Sequence, residues 1–337
     1  MPSTSRVSIV TPFYNTRLYL AECIESVLRQ SHQNWEYVLV DNHSDDGSTE
    51  IAQEYAARFP ARIRLLRPPT FLSQVANYNF ALSCISPDSR YCKIVQADDW
   101  IYPECIDRLV TLADSDETIG IVSSYRIKGN QVLGGGLSPS LSILPGPELC
   151  RLQLTAPVFV FGTPTTVLYR SVLVREPSPL YDENTFFDDA DACYRILGSW
   201  KFGFVHQVLS FSRVDADSIR GRVIDFNPDL LDTYLQVSKF GPLYLSDAEL
   251  APLVACARAS YYSFLARRFL AGADAAFWEF HTSGLSSVGL RIDKLLLARH
   301  TLTEIARLAA NPGFTITRMY REIRSRLPGE SPTRRST

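Results

Sequence analysis

The stretch Tyr91-Cys-Lys-Ile-Val-Gln-Ala-Asp-Asp-Trp100 decides how this chain is read. A short apolar run, Ile94-Val95, leads straight into Asp98 and Asp99; a large aromatic follows, and Pro103 opens the next element. Carboxylates at the end of a buried strand are costly unless a Lys or Arg, backbone N–H groups or a divalent cation held by oxygen ligands meets them. Alone, the pair fits a metal role or a helix cap in a loop. Its surroundings have to decide.

Working outward, residues 7–15 read as a buried strand stopped by Pro12, and Leu18, Leu20, Ile24, Val27 and Leu28 recur at helical spacing over 17–30. A second strand over 35–41 ends in Asn42-His-Ser-Asp-Asp-Gly-Ser48, a turn-rich segment that caps a helix over 49–58. Further strands are expected at 62–66, 91–96 and 119–125, and helices at 73–84 and 104–114. Strands alternating with helices build βαβ units, hence an α/β fold on a mostly parallel sheet. In such sheets ligands bind beyond the carboxyl ends of the strands. Three of those ends are polar here: 11–15, 41–48 and 98–99. Loops are polar anyway, which accounts for one such end more easily than for three.

Bulk properties remove several function classes. The chain has 337 residues, 46% hydrophobic and 21% charged, with a net charge of −2, so nothing points to disorder or a nucleic-acid-binding surface. No Gly-x-Gly-x-x-Gly follows the first strand and no P-loop occurs, which removes the main support for a dinucleotide oxidoreductase or a P-loop nucleotidase. Gly134-Gly135-Gly136, in a Ser/Pro-rich loop, reads as a flexible connector. The seven cysteines have no Cys-x-x-Cys pair, and the expectation is reduced thiols in a cytosol, most of them small core residues. The chain enters a strand straight after Met-Pro-Ser-Thr-Ser-Arg, and no run of 18 apolar residues occurs. Neither a signal peptide nor a spanning helix is therefore expected.

The second half reads differently. Residues 158–170 suggest a strand pair or a bend at Gly162 to Pro164. Asp188-Asp-Ala-Asp-Ala-Cys-Tyr-Arg195 is a helix start with acids in its first turn, where they favour the helix dipole. Strands are expected at 201–205 and 207–213, then a polar loop over 214–222. Amphipathic helices are expected over 228–239, 246–271, 273–282, 291–310 and 314–326. Residues 291–337 hold ten Lys/Arg against four Asp/Glu, a net of +6. A basic amphipathic end of this kind either touches an anionic membrane surface or is a solvated helix with a frayed tail. His43 and His206 sit in no ligand-like cluster and read as structural.

In this order, the motifs resemble those of the family 2 glycosyltransferases, inverting enzymes of the GT-A fold. Val7-Ser-Ile-Val-Thr-Pro-Phe-Tyr-Asn15 is similar to their opening strand, 22–30 to their first helix, and 35–48 to their second-strand signature. Gln96-Ala-Asp-Asp99 stands where the family has its metal-binding acids, and 187–195 resembles the later motif that holds the catalytic base. The resemblance covers about 7–215. It implies a GT-A Rossmann-like catalytic domain over 1–222, followed by a helical C-terminal region over 223–327 and a disordered tail over 328–337.

The resemblance also implies roles. Asp99 would be a ligand of Mg or Mn, and Asp98 would face the ribose or the metal. Asp189 would be the general base, with Asp188 and Asp191 beside it, although acids suit a helix start in any case. Asp41 would accept from the nucleotide base, favouring a uridine donor, with Thr11, Pro12 and Tyr14 lining the same pocket; a turn-forming Asp that bonds its own backbone is the alternative. Asn79 matches an Asn of the family, but Tyr78 stands where an Arg often precedes it, and Arg67 is a candidate for that charge. Two other departures concern the metal. Gln96 replaces a frequent Asp, and Asp215 offers itself where many members place a ligating His.

A nucleotide-sugar transferase is thus expected, adding one sugar to a glycan or lipid-linked acceptor at the cytoplasmic membrane face. A nucleotide-sugar-binding protein without turnover is the alternative. A nucleotidyltransferase would want a Gly-rich, basic loop after the first strand, and Thr11-Pro-Phe-Tyr-Asn-Thr-Arg17 is not one.

Overall fold

The computed structural model describes residues 4–175, 179–185, 187–214 and 224–310. Strands β1 (Val7–Phe13), β2 (Trp35–Asp41), β3 (Ile63–Leu66) and β4 (Tyr91–Ile94) alternate with helices α1 (Leu20–Leu28), α2 (Ser48–Arg58) and α3 (Gln74–Ser83). Next come β5 (Trp100–Ile101), α4 (Cys105–Asp114), β6 (Ile119–Lys128), β7 (Gln131–Leu133), β8 (Ile143–Leu144), α5 (Gly146–Thr155), β9 (Leu168–Arg170), α6 (Asp188–Leu197) and β10 (Lys201–Ser212). The chain closes with α7 (Pro228–Tyr244), α8 (Asp247–Leu270), α9 (Ala275–Ser286) and α10 (Lys294–Ala310).

One sheet holds these strands in the order β3-β2-β1-β4-β9-β6-β10-β5, with β7 beside β6 and β8 beside β10. The long ladders, β1 with β2 and β4, β2 with β3, and β6 with β10, are parallel. The antiparallel ladders span two or three residues each. The expected mostly parallel α/β sheet is therefore what forms.

Side chains alternate across a strand, so each buried strand feeds two cores. Val7, Ile9, Tyr37 and Leu39 pack with α1, α2 and α4 on one face. Val10, Val38, Cys92 and Ile94 pack with α3, α5 and α6 on the other. That second core continues without a break into Leu231, Leu235 and Phe240 of α7, Tyr261 and Leu265 of α8, and Phe277 and Leu285 of α9. The boundary expected at 222 falls outside the described residues, as do the expected helix over 314–326 and the tail over 328–337.

Of the two forms expected over 158–170 the bend is what forms: Gly162 adopts φ 76° and Thr166 N–H closes a turn on the Thr163 carbonyl, so only Leu168–Arg170 reaches the sheet. Two readings change. The two strands expected at 201–213 are one, because register shifts around Val205 and Val208 absorb the polar pair His206-Gln207. The triple glycine is packed at one end. Gly136 has φ 111°, and a Cβ there would lie 2.5 Å from the Pro157 carbonyl oxygen, so a left-handed backbone is wedged against a neighbouring segment.

The cysteines are free; Cys23, Cys92, Cys105, Cys150 and Cys193 are buried. His43 bonds the Pro68 carbonyl, and His206 bridges the Tyr125 hydroxyl and the Leu141 carbonyl, so both are structural as expected.

Candidate active site

Strand β1 has β2 on one side and β4 on the other, so the sheet order reverses direction there. Such a switch point leaves a crevice beyond the carboxyl ends of the strands. The three polar strand ends meet at it. The first two are laced together: Asn15 donates to Asp45 at 2.8 Å and accepts from its N–H at 3.0 Å, while Arg17 N–H donates to Asp46 at 2.9 Å. Asn15 and His43 hold positive φ to make these turns, which their short polar or ring side chains tolerate. The β1 and β4 ends are tied by Thr11, whose hydroxyl donates to the Val95 carbonyl at 2.8 Å.

Asp41 closes β2 and is 1% exposed. It accepts from Ser44 N–H at 2.9 Å, from the Thr49 hydroxyl at 2.7 Å and from the Arg67 guanidinium. Burial pushes its carboxyl up, but those bonds outweigh burial and hold it below the usual range. Arg67 thus meets Asp41 directly, and Asp41 also makes the turn expected of an Asp at a strand end. Thr11 and Pro12 are buried, while Tyr14 is 46% exposed and packs edge-on against Phe71, ring centroids 5.0 Å apart. Of the three residues expected to line a pocket, Tyr14 alone is open to solvent. Asn79 sits elsewhere: its amide donates to the Tyr181 carbonyl at 2.8 Å and accepts from Tyr181 N–H at 3.0 Å, clamping the segment before α6 onto α3.

Asp98 is half-buried and Asp99 is 4% exposed. Asp99 accepts from the Ser212 hydroxyl at 3.2 Å, from Arg213 N–H at 3.1 Å and from Thr165. These donors are neutral, and burial with the neighbouring Asp98 charge pushes Asp99 up to about 6. Arg213 is close by, yet its guanidinium points elsewhere, to the Asp98 carbonyl at 3.1 Å and to Glu22 at 2.5 Å. Lys93, fully buried on β4, donates to the Thr165 and Val167 carbonyls, and burial lowers its pKa. Gln96 lies in an uncharged network: its amide donates to the Tyr78 hydroxyl at 3.0 Å, and its N–H to Thr165 at 3.1 Å.

Two adjacent carboxyls, one of them buried against neutral donors, make a hard-oxygen donor set that suits Mg or Mn. Asp215, the third expected ligand, lies outside the described residues. Among the described residues no group of three or more His, Cys, Asp or Glu converges on one point.

The later acids open α6. Asp188 and Asp189 are half-buried, and burial plus the Asp189 charge push Asp188 up to about 7. Asp189 also accepts from Ala190 N–H at 2.7 Å, as an acid in a first helical turn does. Asp191 differs. It is fully buried and takes both Arg195, at 2.7 Å, and Lys239 of α7. Aromatic packing supports that contact, with Tyr194 stacked on Phe240 at 4.4 Å and the Tyr244 hydroxyl donating to the Tyr194 carbonyl at 2.5 Å.

Helix α3 joins the two acidic motifs. Tyr78 is buried between them: burial raises its hydroxyl pKa first, hydrogen bonds from Gln96 and Gln74 lower it, and the charges of Asp188 and Asp98 both raise it further. Its ring also meets Tyr181 at 6.1 Å. The sequence reading missed Tyr78 as a bridge, Thr165 as a strut and Lys239 as a counter-ion. A lysine inside an apolar strand, Lys93, was a visible signal; for Lys239 there was none.

A family model described as glycosyl transferase family 2 matches residues 8–176. Among curated relatives, a Bacillus subtilis (strain 168) protein described as the glycosyltransferase EpsE is 27% identical over 255 residues, covering 73% of this chain and 87% of its own. Among solved structures, S. aureus TarS 1-349 in complex with UDP-GlcNAc superposes with a TM-score of 0.57 at 15% identity, over 84% of this chain and 80% of that one. The mannosyltransferase PcManGT from Pyrobaculum calidifontis, solved with GDP-Man and Mn2+, gives 0.53 at 16% identity, over 90% and 89%. At these identities the structural likeness speaks for the fold, and both chains share this sheet and its flanking helices.

Proposed function

The chain belongs to glycosyl transferase family 2, a nucleotide-sugar-dependent glycosyltransferase, and from that premise we propose that it is a metal-assisted inverting enzyme with Asp189 as its general base. The donor is a nucleotide-diphosphate sugar, read as a UDP-sugar from Asp41 and its turn, with Tyr14 flanking the base and Asp98 facing the ribose or metal. The acceptor is a hydroxyl of a glycan or lipid-linked intermediate, met on the cytoplasmic side at the membrane face. No helix among the described residues is long and apolar enough to cross a membrane.

The observation that carries this reading is the position of Tyr78: its hydroxyl accepts from Gln96 of the 96–99 motif at 3.0 Å, and its ring meets Tyr181, ahead of the α6 acids, at 6.1 Å. A donor in the crevice then has carboxylates on two sides. Asp99 and Asp98 would hold Mg or Mn, with Asp215 as a further candidate, and the bound cation would offset the charge that develops on the diphosphate as the sugar leaves. Asp189 would take the proton of the acceptor hydroxyl while its oxygen forms the new bond at the anomeric carbon and the sugar–phosphate bond breaks on the opposite face. One direct displacement inverts the anomeric configuration. Asp188, pushed up to about 7 by burial and by the Asp189 charge, would stand beside the base as a carboxyl that itself titrates near neutrality. Asp191, though in the same motif, would act by holding α6 in place.

The test is turnover. Nucleotide release from UDP-sugars with Mn is expected from the wild-type chain, and Asp189→Asn should lower kcat about 10²- to 10⁴-fold with donor affinity retained. A chain that binds UDP but releases none with any acceptor would be a binding protein instead.

A further inference from the structure

Helix α10 packs Leu296 and Leu297 against the second core and leaves an apolar face outside. Its inner face packs on α8, with Thr301 and Glu304 buried, Ser263 bonded to His300 at 3.0 Å and Arg267 paired with Glu304 at 3.3 Å. The outer face carries Leu295, Leu302 and Ile305, exposed by 85%, 68% and 46%, with Ala298 and Ala309 exposed between and beyond them. These five positions recur at spacings of three and four, so they form one continuous stripe along the helix. Lys294 and Arg299, both exposed, fall on the two flanks of that stripe. The helix's acid, Glu304, faces inward and is held by Arg267 and Arg307.

We propose that this outer face of α10 is the surface on which the protein seats itself on an anionic phospholipid bilayer, the apolar stripe entering the interface and the basic flanks meeting headgroups. The inference rests on the membrane-face reading above and names the surface responsible. An apolar stripe with cationic flanks is the pattern of a helix lying in a membrane interface. The charges argue against the two other occupants. A second copy paired along the same stripe would set Lys294 and Arg299 against one another with no acid on that face to answer them, since the neighbouring Asp293 caps the helix start by accepting from Leu296 N–H at 2.9 Å. Residues 311–337 carry six arginines and two glutamates, so they too bring positive charge to a face already flanked by it. A bilayer rich in phosphate headgroups is the complement on both counts.

The experiment uses the full-length chain and flotation with vesicles of phosphatidylglycerol and phosphatidylcholine, against phosphatidylcholine alone. Binding to the anionic vesicles is expected, weakening with salt. The triple variant Leu295→Gln/Leu302→Gln/Ile305→Gln should lose about tenfold or more of its vesicle partitioning. Lys294→Gln/Arg299→Gln should lose affinity for anionic vesicles alone. All five positions are exposed, so melting temperature and nucleotide release in solution should match the wild type. Those two readouts keep a failure here separate from a failure of the transferase reading. No flotation of the intact protein overturns the proposal. Unchanged flotation of the triple variant would do so too, assigning membrane contact to the basic residues past 310. A concentration-dependent dimer that the triple variant abolishes would give the face to a second copy.

Discussion

Asp99 and Asp191 are both buried carboxylates, and the protein treats them in opposite ways. Asp191 is met by two cations, Arg195 from its own helix and Lys239 from α7. Asp99 receives neutral donors from Ser212, Thr165 and the Arg213 backbone, while the Arg213 and Lys93 side chains bond carbonyls or Glu22. A buried charge with its counter-ions in place is part of the scaffold. One left to neutral donors beside a second acid has room for a charge brought by a ligand. Burial alone therefore does not tell the two acids apart; the identity of their donors does.

The largest expected effect tests the compensated side. Lys239→Met leaves Asp191 buried with Arg195 alone and should cost about 3 kcal/mol, the lower part of the range for breaking a buried pair, because one cation remains. Denaturant unfolding measures it, and Lys239→Arg should restore most of the loss. Asp99→Asn makes the opposite case: it removes a charge that has neutral partners, so without metal the melting temperature should hold or rise. If both variants destabilise alike, the contrast between the two acids is wrong.

A subtler test uses pH. Asp188 is pushed up to about 7 by burial and by the charge of Asp189, so a fall in pH through about 7 protonates Asp188 beside Asp189. A step in kcat near pH 7 is expected from this, and Asp188→Asn, which removes the titrating group, should abolish it. The same raised value makes the ionised Asp188 a cost to the fold above about 7, relieved as pH falls toward the unfolded carboxylate range. The smallest effect belongs to a neutral donor: Ser212→Ala should cost about 1 kcal/mol, since it removes one hydrogen bond to Asp99 and leaves the others.

The sheet was readable because Ile9-Val10 and Val38-Leu39-Val40 are short apolar runs punctuated by Pro, Gly and polar turns, the pattern of strands buried on both faces, as β1 and β2 are. The acids at the β4 end and at the α6 start were readable as motifs. The apolar run Val158 to Phe161 looked like a strand, yet the Gly162 turn keeps it from pairing with the sheet. What partners a polar side chain chooses was not readable. Asn79 looked like a nucleotide contact and instead bonds the backbone of Tyr181, 102 positions away. Arg195 sits one helical turn from Asp191 and was visible in the same motif. Lys239, 48 residues on, reaches Asp191 only because α7 shares the core with α6. Helical periodicity over 228–239 showed a helix, but nothing in it said where that helix docks.

Metal-assisted donor binding requires that Asp99 have room for a cation that carries the nucleotide. Calorimetric titration of UDP into the wild-type chain and into Asp99→Ala, each with and without Mn2+, tests this most directly. The prediction is that Mn2+ tightens UDP binding to the wild type and leaves Asp99→Ala unmoved. Equal affinity in the wild type with and without Mn2+ would contradict it.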